Sequence, residues 1–122
     1  AQSRRTTKPI GTKVDVMKHD FQGQRAATNA TFKDMAKMTG VPKRAMVNFL
    51  FLADDTDGPF TACAAALTKA GFKTVIDTDE VTVEAQIGPI DVNADAIWAE
   101  EKRATEIAVK FGFEPDGWEL LD

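Results

Sequence analysis

The sequence holds one cysteine, one histidine and no apolar run near the length of a bilayer span. A lone cysteine excludes an intrachain disulfide, and a reducing compartment, the cytoplasm, is the expected setting. A membrane location is not expected, because a span takes roughly 20 consecutive apolar residues. Nor do the first residues, AQSRRTTKPI, carry the apolar core of a secretion signal. A histidine without a cysteine or acidic pair at ligand spacing argues against a metal site, so His19 reads as a surface residue. Cys63 shares a helix face with Phe60 and Leu67, where a thiol acts as a small hydrophobe rather than a nucleophile. Gly58 stands alone, without a phosphate-cradling loop. No cofactor is expected, and with the groups of transfer chemistry missing, neither is an enzyme.

What is present suits one folded core. A chain of 122 residues, 43% of them hydrophobic, can bury a core without metal or disulfide staples. Its net charge of −4 hides a division. Residues 1–44 carry ten Lys and Arg against three acidic groups, whereas residues 45–122 carry five against sixteen. The basic segment is therefore expected to lie against the acidic domain of the same molecule, since a tethered partner has the higher effective concentration; the other reading is that each half addresses an outside partner. A balance of −11 over residues 45–122 also repels phosphate, so the folded domain is not expected to bind nucleic acid directly.

The N-terminal extension, residues 1–42, contains little apolar material. Residues 1–13 are polar and interrupted by Pro9 and Gly11, and Val14 and Val16 alternate over a span long enough for only a marginal strand. Thr31 and Asp34 bracket a capping-box-like start, Phe32, Met35 and Ala36 form a small apolar stripe, and Gly40 and Pro42 end it: a short helix.

From residue 43 the pattern is richer. Residues 45–52 (AMVNFLFL) read as a central strand covered on both faces. The run from Asp54 to Asp57 offers caps for a helix that enters at Pro59, buries Phe60, Cys63, Ala64 and Leu67, and stops at Gly71. Residues 72–77 form a strand, 78–80 a turn, and 81–87 an alternating strand closed by Gly88 and Pro89. Asn93 caps a long helix with Ile97, Ala104, Ala108 and Phe111 on one stripe, Gly112 stops it, and a short strand carrying Trp118 follows. Trp98 stands off the stripe centre, to fill a groove or to serve as an exposed anchor, and Glu101 sits too near that centre for a carboxylate without a partner.

The order strand, helix, strand, strand, helix, strand predicts an α+β ferredoxin-like sandwich (β-α-β-β-α-β) over residues 43–122, with an N-terminal helical extension. Both helices would lie on one face. Met46, Leu50 and Leu52 would then need cover on the other, from the N-terminal helix or from a second subunit in a homodimer.

That topology gathers Asp54, Asp55, Asp57, Asp77, Asp79, Glu80, Glu114 and Asp116 at one end of the sheet. The cluster reads as a solvated surface with Asp57 as a helix cap, as the dock for a basic protein segment, or as a divalent-cation site. The terminal run, with its acidic helix entry, A-x-K-F-G-F-E exit and P-D-G-W turn, resembles the ribonuclease E inhibitor family, regulator of ribonuclease activity B. The likeness reaches back to LADD at residues 52–55. It implies a non-catalytic cytoplasmic protein that binds ribonuclease E, or a similar basic scaffold, and modulates RNA decay. The other reading of the fold is a ligand-sensing or dimerising module.

Overall fold

The computed structural model describes residues 19–54 and 57–121. Its elements are α1 (Phe21–Met35), β1 (Arg44–Leu52), α2 (Phe60–Lys69), β2 (Lys73–Asp77), β3 (Thr82–Asp91), α3 (Ala94–Ala108), a 3-10 turn (Val109–Phe111) and β4 (Glu114–Leu121). The four strands form one sheet in the order β2-β3-β1-β4, with every neighbouring pair antiparallel. Each crossover helix joins strands separated by one other strand, the split arrangement of an α+β sandwich. Residues 1–18, including the expected polar run and marginal strand, lie outside the described residues, as does Asp55.

Strand β1 sits at the centre because its run of apolar and aromatic residues can be buried while its backbone pairs on both edges. Val47, Phe49 and Phe51 face the helices and are fully buried, with Val83 and Ala85 of β3 alongside. Cys63 and Leu67 of α2, and Ile97, Ala104 and Ala108 of α3, close the layer. Ring edges meet ring faces at two places, Phe49 with Phe72 at 6.4 Å and Phe60 with Phe113 at 5.4 Å between centroids. Burial raises the Cys63 thiol to about 12, so at neutral pH it is a packing group.

Local chemistry sets the ends of α3 as its sequence predicts. Asn93 Oδ1 accepts from the Ala96 amide at 2.7 Å, and Gly112 takes the left-handed stop at φ 85°. Other expectations are corrected. Helix α1 begins at Phe21 under an Asp20 cap, ten residues before the Thr31 signal, which lies inside it. Helix α2 has Pro59 at its N-cap position, and no side chain there caps it. Strand β3 continues through a cis Gly88–Pro89 bond to Asp91. Gly88 is required there: at φ 135°, a Cβ would stand 2.8 Å from the Ala45 carbonyl oxygen.

The N-terminal helix does not take the second side of β1 as its main seat. Helix α1 packs on α3, and Met46, Leu50 and Leu52 are half-buried on the other face of the sheet, Leu50 lining the groove beside α1. The reason is its stripe: Phe21, Gln24, Thr28, Phe32 and Met35 recur at steps of three and four, and the middle of that stripe is polar. Where the two halves meet, one basic link is an exposed ion pair, Arg25 to Asp95 at 3.5 Å.

Trp98 is buried and so is not an exposed anchor, whereas Trp118 is only half-buried. Phe113, 1% exposed, is the buried aromatic of the terminal turn, and Phe111 lies at its margin. Phe113→Ala is accordingly expected to cost about 3–5 kcal/mol, and Phe111→Ala distinctly less. Urea denaturation midpoints of the two variants check the order.

Candidate functional site

Sheet register builds the acidic end. Asp77 lies opposite Thr82, Thr82 opposite Leu52, and Leu52 opposite Glu114, so one row crosses all four strands. The β2–β3 turn therefore stands beside the end of β1 and the start of β4, as the topology predicts. Asp79 and Glu80 are exposed in that turn, and Asp77 Oδ1 accepts from the Glu80 amide at 3.2 Å. Asp54 is half-buried just past β1, Asp57 is exposed beyond it, and Asp116 is exposed on β4 two positions past Glu114. The turn is tied to β1 because the Ala53 amide donates to the Val81 carbonyl at 2.8 Å. Val81 itself is held at φ 52°, a conformation costly for a β-branched residue and of the kind that gathers at functional sites. Among the described residues, no three His, Cys, Asp or Glu side chains are placed to hold a metal ion. The arrangement is a fixed array of negative charge.

A second feature lies between α1 and β4. A groove of about 540 Å³ is lined by His19, Gln24, Thr28, Glu101 and Trp118, with Asp116 at its rim. Glu101, 3% exposed on α3, finds there the partners that its sequence position demands. One carboxylate oxygen accepts from the Thr28 hydroxyl and the other from Gln24 Nε2 at 3.0 Å. Gln24 Nε2 also donates to Thr105 Oγ1 at 2.9 Å, and Gln24 Oε1 meets His19 Nε2 at 2.7 Å. His19, half-buried at the groove, thus belongs to this network and meets the Phe21 ring edge-on. Burial raises the pKa of Glu101, while the Thr28 and Gln24 hydrogen bonds and the charge of His19 pull it down less strongly. The signal for this network was the polar pair Gln24 and Thr28, four apart on one helix face.

The third feature is Asn48, a polar residue in the middle of the apolar β1 run. It is 1% exposed on the open face, and its Nδ2 donates to Glu84 at 2.9 Å and Glu119 at 3.0 Å. Its Oδ1 is buried without a hydrogen-bond partner. Such an orphan acceptor costs about 1–3 kcal/mol.

Glu101 gives a pH dependence of definite sign. Between the ordinary carboxylate value of 4.5 and the raised folded value, the folded chain keeps a proton that the unfolded chain has released. Its contribution is therefore full below that window and is lost as pH rises through it. Glu101→Gln has no such proton, so this component of the slope should vanish. Denaturation midpoints of both proteins between about pH 4 and pH 7 measure the difference.

No curated protein matches the chain. The family profile described as regulator of ribonuclease activity B matches residues 25–120, a span that takes in most of α1, all but the last residue of the sheet and both crossover helices. With that match over most of its length, and with the terminal helix, turn and strand that resemble this family, the chain belongs to the regulator of ribonuclease activity B family.

Proposed function

We propose that this chain is a non-catalytic, cytoplasmic regulator of ribonuclease E that lowers nuclease activity by protein contact and so tunes RNA decay. Membership of the family is the observation that carries the reading. Charge supports the mode of action. Residues 45–122 carry a balance of −11, which disfavours direct contact with RNA phosphates and favours a cationic protein surface. The only thiol is buried and pushed up to about 12, so it supplies no nucleophile.

The contact surface in this reading is the acidic end: Asp54, Asp55, Asp57, Asp77, Asp79, Glu80, Glu114 and Asp116. Exposed carboxylates on a pinned turn steer and orient a basic scaffold segment, because their field extends about 10 Å at moderate salt. Asp79, Glu80 and Asp116 are the exposed members on the hairpin and on β4. Replacing them together by Asn, Gln and Asn should leave the denaturation midpoint nearly unchanged, since exposed charges contribute little to stability. Association with purified ribonuclease E scaffold should slow by about tenfold at low salt, as read by surface plasmon resonance. An unchanged association rate would reject this surface, and absence of binding by the unaltered chain would reject the partner.

A further inference from the structure

We propose that the open face of the sheet seats one cationic side chain, an arginine, from an extended segment of a protein partner, held between Glu84, Asn48 and Glu119. The proposal rests on the reading of the chain as a protein-binding regulator and adds a contact away from the acidic end. Three observations converge on it.

The first is the orphan acceptor. Asn48 Oδ1 is buried with no donor, in the same amide whose Nδ2 bridges the two carboxylates. The amide cannot turn over to satisfy it, because Oδ1 would then face two carboxylates. What the site lacks is a donor.

The second is uncompensated charge. One oxygen of Glu84 and one of Glu119 are bonded to a single nitrogen, which brings like charges within about 6 Å of each other given ordinary hydrogen-bond lengths. Among the described residues, no Lys, Arg or His forms an ion pair with either. Lys73 shares the register row of Asn48 but stands on β2, at the far edge of the sheet. Guanidinium suits the two carboxylates, with N–H donors spread in a plane and no acceptor to clash with Asn48 Oδ1.

The third is the surroundings. Leu50 and Val75 share the register row of Glu84, with Val75 40% exposed. A shallow groove of about 330 Å³ lined by Pro42, Met46, Pro89 and Leu121, and by Arg44, whose charge is paired with Asp91 at 3.0 Å, continues the same face on the other side of Asn48. An extended chain alternating apolar and cationic residues fits apolar ground on both sides of one acidic seat. Asn48 is a poor strand former at the centre of a strand, and an apolar residue there would leave no orphan.

The test uses the full chain, isotopically labelled, with NMR observation of the Asn48 side-chain amide. The probe is a blocked five-residue peptide with a central arginine between alternating threonine and leucine, and its citrulline counterpart, which keeps the shape without the charge. The arginine peptide should shift the Asn48 amide saturably at low salt, and citrulline should not. Asn48→Leu and, as a milder exposed variant, Glu119→Gln should each weaken peptide binding at least about tenfold, followed for Asn48→Leu on the Glu84 and Glu119 backbone amides. Asn48→Leu should at the same time hold or raise the denaturation midpoint, which a merely structural role for Asn48 would not allow. Equal binding of both peptides, shifts confined to the acidic end, or an Asn48 amide already moved by salt alone through the chain's own basic residues would overturn the proposal. Scaffold binding with an unmoved Asn48 amide rejects the seat and keeps the regulator reading. A peptide seated at Asn48 without scaffold binding does the reverse.

Discussion

Strand β1 is the constraint on which the rest of this molecule depends. Its backbone pairs with β3 on one edge and β4 on the other, so its hydrogen bonds are committed along most of its length. With the backbone paired, the alternation of side chains decides everything normal to the sheet. Val47, Phe49 and Phe51 demand a helical layer, and the small residues of α2 and α3 let that layer approach closely. The opposite side carries Asn48 between leucines and methionine, a face neither wholly apolar nor wholly wet. One strand thus creates both the core and the surface available to a partner.

Legibility in the sequence followed the strength of apolar periodicity. The central strand, the face of α2 and both ends of α3 were readable because burial, capping and a left-handed glycine each leave a local mark. Helix α1 was half-read, since Gln24 and Thr28 look like a solvated face until Glu101 is placed opposite them. The same fact explains why helix α1 seats on α3 rather than over Met46 and Leu52. Gly88–Pro89 read as the end of a strand because proline removes a donor, yet β3 runs on where the pairing register with β1 shifts. Phe113 was overlooked in favour of Phe111 because the 3-10 turn rotates the chain after the regular helix ends.

The acidic end was legible as an assembly, since register needs only topology, but its chemistry was not. Sequence offered solvation, a protein dock or a cation, and carboxylates alone do not choose among them. The seat at Asn48 could have been suspected from one polar residue in an apolar run. Its two flanking carboxylates come from strands 36 and 71 positions away, beyond any local pattern.

The polar seam between α1 and α3 bears on how the molecule opens. Among the buried members of α1 is Thr28, so the helix is held by a few hydrogen bonds around one carboxylate and by the partly buried Phe32, rather than by a broad apolar interface. Detaching it uncovers little hydrophobic area, and the freed Glu101 would regain water. Helix α1 is therefore expected to lift first, while the sheet and its two crossover helices stay folded. In native-state hydrogen exchange its amides would report that partial opening, and those of β1 the collapse of the whole.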